Sequence, residues 1–352
     1  MKSKIHIVTV YSIIHFIVDF SCAFLIANLI VPLSTSEYTL IMAVLVYNFF
    51  AFALQLPIGI IADKLNKNAL VSSLGCLLII IGFAFFKFSI LSCIIIGLGN
   101  ACFHIGGGID ILNISKKKAK LLGIYVAPGA MGLFFGGTLG LYGFNQTSLV
   151  IIALLLSAIA LVHLYFNMKN KYKINNLIPQ LETITKKHII ILSTLLFAVC
   201  IRAYLGLILT YTWKSDIRIG FIFVLCIVLG KVLGGFISDK FGLIRTAVIS
   251  LCLSAIFFLF SFNSEIMGIL AIFTFNISMP ITLIGLANTF NNNKGFAFGL
   301  TTFALFLGAV PVLLKFETVF FNPISLFIII IITTIILYMG LKSCESLGMS
   351  ND

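Results

Sequence analysis

The chain has 352 residues, of which 61% are hydrophobic and 10% charged, with a mean hydropathy of +1.17 and a formal net charge of +12. Soluble domains carry about 25% charged residues, so a water-soluble fold would have nowhere to hide this much apolar surface. The positive charge does not read as a nucleic-acid patch, because the lysines sit in short segments between apolar runs, where membrane topology puts them.

A helix that crosses a bilayer needs about 20 apolar residues. Runs of that kind lie near 5–33, 37–62, 69–86, 89–114, 121–142 and 147–168, and again near 188–212, 217–239, 245–262, 265–288, 296–315 and 322–341. The first run far exceeds the ~7–15-residue core of a secretory signal, so no cleavable signal is expected. Turn residues such as Gly143–Asn145 and Asn291–Asn293 separate the runs. Of the 23 Lys and Arg residues, 17 fall in the segments on the side of the N-terminus and only four on the other. That bias predicts cytoplasmic termini and an even number of spans. The expected fold class is an all-α integral membrane protein with twelve transmembrane helices. They divide into an N-terminal six-helix bundle (1–168), a basic cytoplasmic linker (169–187) and a C-terminal six-helix bundle (188–352). The eight cysteines are scattered with no Cys-x-x-Cys pair and read as small packing residues.

The chain repeats itself at half its length. Gly59-Ile-Ile-Ala-Asp63-Lys64 follows the second run and Gly235-Phe-Ile-Ser-Asp239-Lys240 follows the eighth, an offset of 176 residues in a chain of 352. Two similar bundles are the basis of alternating access. These two loops resemble the G-x-x-x-D-K-x-G signature of the major facilitator superfamily. The second copy keeps Gly242, whereas Asn66 stands at the corresponding position of the first. The resemblance implies the major facilitator fold, a monomer, and a conformational role for Gly59, Asp63, Lys64, Gly235, Asp239 and Lys240, in which the loop Asp docks on neighbouring helix ends. A narrower resemblance rests on His15-Phe-Ile-Val-Asp19-Phe20 and on Gly97-Leu-Gly-Asn-Ala-Cys-Phe-His104. Both are similar to the fosmidomycin-resistance-type branch, which implies export of drugs or organic anions in exchange for protons. After His104 the chain departs from that branch, reading Ile105-Gly106 in place of Pro-Glu.

An ionisable group at the centre of a span costs about 2.5–3.5 kcal/mol, so each is a candidate functional group. Asp19 lies about 14 residues, or ~21 Å, into the first run, and His15, four residues earlier, shares its helix face. Arg202 lies equally deep in the seventh run, which predicts that it pairs with Asp19 directly or through substrate. His104 is mid-membrane in the fourth run, with Asn100 and Gly108 on its face. Asp110 falls about 240° around the helix and nearer the cytoplasm, where a loop lysine such as Lys116 is its expected partner. Lys231, eight residues before Asp239, could snorkel in part. Asn276 with Pro280, and Gln55 with Pro57, predict kinked helices lining a cavity. Gly129, Gly132, Gly136 and Gly140 form a small-residue stripe for close helix packing.

No Walker loop, metal-ligand spacing or nucleophile motif appears. The expectation is therefore no enzyme, no cofactor and no metal, with an ion gradient as energy source. The expected protein is a multi-pass protein of the cell membrane (plasma or inner) with a small-molecule substrate, protons and the lipid bilayer as partners and no nucleic acid. Its expected activity is proton-coupled secondary transport that exports a small organic anion, zwitterion or drug. Proton-coupled uptake is the alternative within transport, and a non-transporting membrane sensor is the alternative of another class.

Overall fold

A computed structural model describes residues 2–171, 185–209, 216–290, 292–314, 316 and 321–348, so most of the basic linker lies outside the described residues. Among the described residues every regular element is helical. Eleven of the described helices are long and apolar enough to cross a membrane. They are α1 (Lys4–Leu33), α2 (Glu37–Leu65), α4 (Ser89–Ser115), α5 (Lys120–Leu141), α6 (Thr147–Met168), α7 (Lys186–Ile208), α8 (Ile217–Phe241), α9 (Leu243–Phe260), α10 (Glu265–Thr289), α11 (Lys294–Leu313) and α12 (Pro323–Leu347). The remaining apolar helix, α3 (Asn68–Ala84), has 17 residues. At 1.5 Å per residue it is about 25 Å long, short of a ~30 Å hydrocarbon core.

Local chemistry accounts for where several helices begin and end. Ser36 caps α2 by accepting from Thr39 N at 3.2 Å, and Asp216 caps α8 by accepting from Arg218 N at 2.7 Å. Asn66 ends α2 with φ of 50°, and Gly242 follows α8 with φ of 92°. Asn66, with ψ of 36°, lies in the left-handed helical region, where Asn is the best-tolerated substitute for Gly, and Gly242, with ψ of 150°, lies where Gly alone is at ease. The departure of the first signature copy from Gly is therefore one that the backbone accepts.

Four helices are interrupted. α1 and α2 contain π-helical turns at Ile26–Ile30 and Phe49–Ala53. α5 breaks at Ala127 before Pro128, and α10 breaks at Ser278 before Pro280. Pro280 offers no N–H to the carbonyl four residues back, that of Asn276, and next to it Ser278 Oγ donates to the Phe275 carbonyl at 2.9 Å. α10 is thus interrupted next to the Pro280 expected to kink it, and α2 carries a π turn just before Gln55.

Two compact units account for the chain: one comprises Met1–Ile114, Pro128–Gln180 and Asn292–Phe306, the other Ser115–Ala127, Leu181–Asn291 and Leu307–Asp352. In the first, the glycine stripe of α5 lies against α1. A Cβ at Gly132 would meet the Phe16 carbonyl, one at Gly136 the Phe20 carbonyl, and one at Gly140 the Ala27 side chain. In the second, Gly123 and Gly235 bring the start of α5 against α8, where a Cβ would meet the backbone carbonyls of Lys231 and Ala119.

Candidate functional site

Four side chains from α1 and α4 converge inside the first unit. His15 Nε2 lies 3.2 Å from Asp19 Oδ2, and His104 Nε2 lies 3.6 Å from Asp19 Oδ1. The two imidazole Nε2 atoms are 2.9 Å apart. Asn100 Nδ2 donates to Asp19 Oδ1 at 3.0 Å. All four residues are buried, from 1% exposed at Asn100 to 9% at His104. The i, i+4 spacing of His15 and Asp19, and of Asn100 and His104, puts each pair on one helix face.

Hydrogen bonding fixes the tautomer of one ring. His104 Nδ1 sits 2.9 Å from the Asn100 carbonyl oxygen. A carbonyl only accepts, so Nδ1 carries the proton, and in the neutral ring Nε2 is a bare lone pair. That lone pair faces His15 Nε2 and Asp19. One proton on His15 Nε2 then serves two acceptors, His104 Nε2 and the Asp19 carboxylate. Asn100 Oδ1 is buried without a hydrogen-bond partner among the described residues. Gly129 of α5 lies directly over the cluster, where a Cβ would strike His15 Nε2 and Asp19 Oδ2. Cys22, three residues after Asp19, lies 3.9 Å from Asn100 Nδ2.

A second polar group sits further along the same two helices. Asp110 is buried, and it accepts from Tyr11 Oη at 2.6 Å and from Asn68 Nδ2 at 2.8 Å. These partners stand where a loop lysine was expected. Asp110 therefore ties α1, α3 and α4 together instead of sitting as an interfacial carboxylate. It remains apart from His104, as its place on the helix implies.

The other candidates lie in different surroundings. Arg202 donates from Nη2 to Thr282 Oγ1 at 2.9 Å within the second unit. The expected Asp19–Arg202 pair would join the two units, and what each holds inside its own unit is different: two histidines and an asparagine for Asp19, a threonine for Arg202. Lys231 reaches the Val126 carbonyl at 3.5 Å, at the break of α5. Asn276 and Gln55 donate back to their own helices, to the carbonyls of Ile272 and Ala51. Gln55 Oε1 is buried without a hydrogen-bond partner among the described residues.

The two signature loops make matching contacts. Asp63 accepts from the backbone N–H groups of Gly295 (2.7 Å) and Phe296 (2.9 Å) at the start of α11, within the first unit. Asp239 accepts from those of Ala119 (2.7 Å) and Lys120 (3.2 Å) at the start of α5, within the second. Each carboxylate satisfies N–H groups that a helix start leaves unpaired, and complements the helix dipole. The acceptors differ by 176 residues, and so do the donors, since 239 − 63 and 295 − 119 both equal 176. Gly59 and Gly295 pack backbone to backbone, as do Gly235 and Ala119. Lys64 is exposed, and Lys240 Nζ lies over the Phe241 ring at 5.2 Å.

Sequence reasoning missed Tyr11, Asn68, Gly129 and Thr282 as partners. Tyr11 carried a usable signal, being four residues before His15 and eight before Asp19 on one face. Asn68 and Thr282 carried none, because a single polar residue in or beside an apolar run points nowhere by itself.

Among the described residues, eleven apolar helices long enough to cross a bilayer, several of them interrupted, and buried ionisable groups within them describe a multi-pass membrane protein. The chain belongs to the Major Facilitator Superfamily, whose family model matches residues 9–311. It is a secondary transporter and not an enzyme. A search of curated proteins finds no match. Solved structures show the same fold at low identity. The human organic anion transporter MFSD10 (TETRAN) aligns at 12% identity and a TM-score of 0.66, over 95% of this chain and 99% of that one. The E. coli fucose:proton symporter FucP aligns at 14% identity and a TM-score of 0.62, over 94% of this chain and 98% of its own. FucP in an outward conformation aligns with a TM-score of 0.57, also at 14% identity, over 94% and 99%.

Proposed function

We propose that this chain is a proton-coupled transporter that exports a small organic anion, zwitterion or drug by alternating access. It would have twelve crossings with both termini in the cytoplasm, in the cell membrane, and bundles 1–168 and 188–352 joined by the basic linker. The observation that carries the proposal is the buried cluster of His15, Asp19, Asn100 and His104. A lone carboxylate in a span is costly, and here two imidazoles and an amide hold it in a geometry where one proton is shared. Asp19, with His15 or His104, holds the proton in one state. Arg202 and Lys231 attract the substrate in the other, with Asn276 and Gln55 as polar lining groups. The resemblance to the fosmidomycin-resistance-type branch supports export of an organic anion or drug, and the fold shared with an organic anion transporter agrees with that substrate class. The paired loop contacts of Asp63 and Asp239 fit the inward/outward control that the superfamily signature implies.

Proton-coupled uptake is the second reading. One observation favours it: the same fold is found in a fucose:proton symporter. The experiment is a screen of organic anions and zwitterions in vesicles with an imposed pH gradient, run in both orientations. Wild-type protein should move at least one compound against its gradient, and Arg202→Ala should raise its half-saturation concentration. Equal transport of every compound by wild type and Arg202→Ala would remove Arg202 from the site. No pH-driven movement in either orientation would favour a non-transporting sensor.

A further inference from the structure

We propose that His15, Asp19 and His104 form a binding site for one divalent transition-metal ion of the zinc, iron(II) or manganese type. The sequence hides such a site, because the two halves are 85 residues apart (104 − 19) and neither has a metal-ligand spacing. The fold brings them together. Two Nε2 atoms and a carboxylate oxygen, one from each residue, all lie within 4.8 Å of one another, and all three residues are buried.

The separations are close to those around a shared ion. Ligands at about 2.0–2.2 Å from a metal stand ~3.0–3.4 Å apart around octahedral or tetrahedral centres. Here the two Nε2 atoms are 2.9 Å apart, His15 Nε2 is 3.2 Å from Asp19 Oδ2 and His104 Nε2 is 3.6 Å from Asp19 Oδ1, so each imidazole faces its own carboxylate oxygen at a spacing within a few tenths of an ångström of that range. The electrons match as well. With His104 Nδ1 committed to the Asn100 carbonyl, His104 Nε2 presents a lone pair inward. That bond is also the support that metal-bound histidines use, the distal N–H held by a carbonyl. Asn100 orients the third ligand through its bond to Asp19 Oδ1. Its own Oδ1, buried and without a partner among the described residues, is an acceptor ready for a metal-bound water.

Ligand chemistry sets the class of ion. Two imidazoles and one carboxylate suit borderline transition metals and not Mg2+ or Ca2+, which prefer oxygen. Two histidines and one carboxylate on one side of the ion leave open positions, so the site is one that exchanges its ion and not a closed structural centre. An ion there would displace the proton shared by His15 and His104, so binding should weaken as pH falls. The inference stands on the cluster geometry alone and needs neither a direction of transport nor a substrate.

The test is Co2+ titration of untagged, detergent-purified protein, read by visible absorption and by metal content after dialysis. One Co2+ per chain is expected, displaced by Zn2+ and not by Mg2+. His104→Gln and Asp19→Asn should each weaken binding at least ~100-fold, and Asn100→Ala about 10–100-fold through loss of ligand orientation. Monodispersity and thermal unfolding establish which variants are folded, and His15→Gln replaces any that is not. The proposal is overturned if folded wild type binds no Co2+ at about 1 mM, or if the folded ligand variants bind it as wild type does. A loss of proton-driven transport in Asp19→Asn without any Co2+ binding would leave the transport reading standing and remove the metal site.

Discussion

Gly129 shows at residue scale how tightly the cluster is built. The stripe to which it belongs lets α5 approach α1, but Gly129 alone faces the two ionisable side chains, His15 and Asp19. Gly129→Ala places a methyl group on His15 Nε2 and Asp19 Oδ2, and overpacking of this kind costs about 1–3 kcal/mol. Gly137, on the same helix, faces open space, and alanine there should be neutral or stabilise by up to ~1 kcal/mol. Thermal unfolding of the purified protein separates the two: the midpoint should fall for Gly129→Ala and hold or rise for Gly137→Ala. Equal midpoints would mean that α5 does not press on the cluster as described. His15, Asp19, Asn100 and His104 were legible in the sequence because polar residues in an apolar run are costly and the i, i+4 spacing pairs them. Their mutual contact was not legible, since it spans 89 residues between the two histidines. Asp110 was legible as distinct from His104, but its partners were not. Tyr11 is 99 residues away, and its place on the His15–Asp19 face marks it as a polar group there without pointing to α4.

The ends of α2 and α8 are set by backbone conformation at single residues. Asn66 and Gly242 occupy equivalent, positive-φ positions after α2 and α8. Asn66→Gly should therefore change stability by only a few tenths of a kcal/mol, whereas Asn66→Val should cost about 1–2 kcal/mol from left-handed strain. Chemical or thermal unfolding of the two variants checks the contrast, and equal stability would contradict the cap. Most span boundaries read from hydropathy fall within a few residues of the helices. The end of α3 shows what such small differences mean. Hydropathy carried it to residue 86, but the helix ends at Ala84 and Phe85 leaves helical geometry with ψ of 15°. Hydropathy weighs side chains and is blind to whether the backbone still closes its hydrogen bonds. The π turns in α1 and α2 escape it for the same reason, since an extra residue in a turn leaves composition unchanged.

For the whole molecule, the internal repeat read from two short motifs recurs in the contacts. Each signature Asp holds two consecutive N–H groups at a helix start, and the donors and acceptors superimpose under the same 176-residue shift. Hydrogen bonds to a charged group are worth about 1.5–3 kcal/mol each. Removing such a contact should shift a balance between two conformations by about 10-fold or more. Asp63→Ala and Asp239→Ala should therefore both slow transport while the protein still reaches the membrane, and the slowing should be similar for the two. Transport at the wild-type rate in either would show that its loop contact is structural only. The partners of these carboxylates could not be read from the sequence, because they are backbone groups 119–233 residues away in the chain.

Proton coupling, as proposed, runs through the buried His15–Asp19–His104 cluster. The most direct measurement is pH-gradient-driven flux of a transported compound in proteoliposomes, comparing wild type with Asp19→Asn at matched protein levels. The account expects gradient-driven flux to vanish in Asp19→Asn. Flux at the wild-type rate, still driven by the pH gradient, would contradict it.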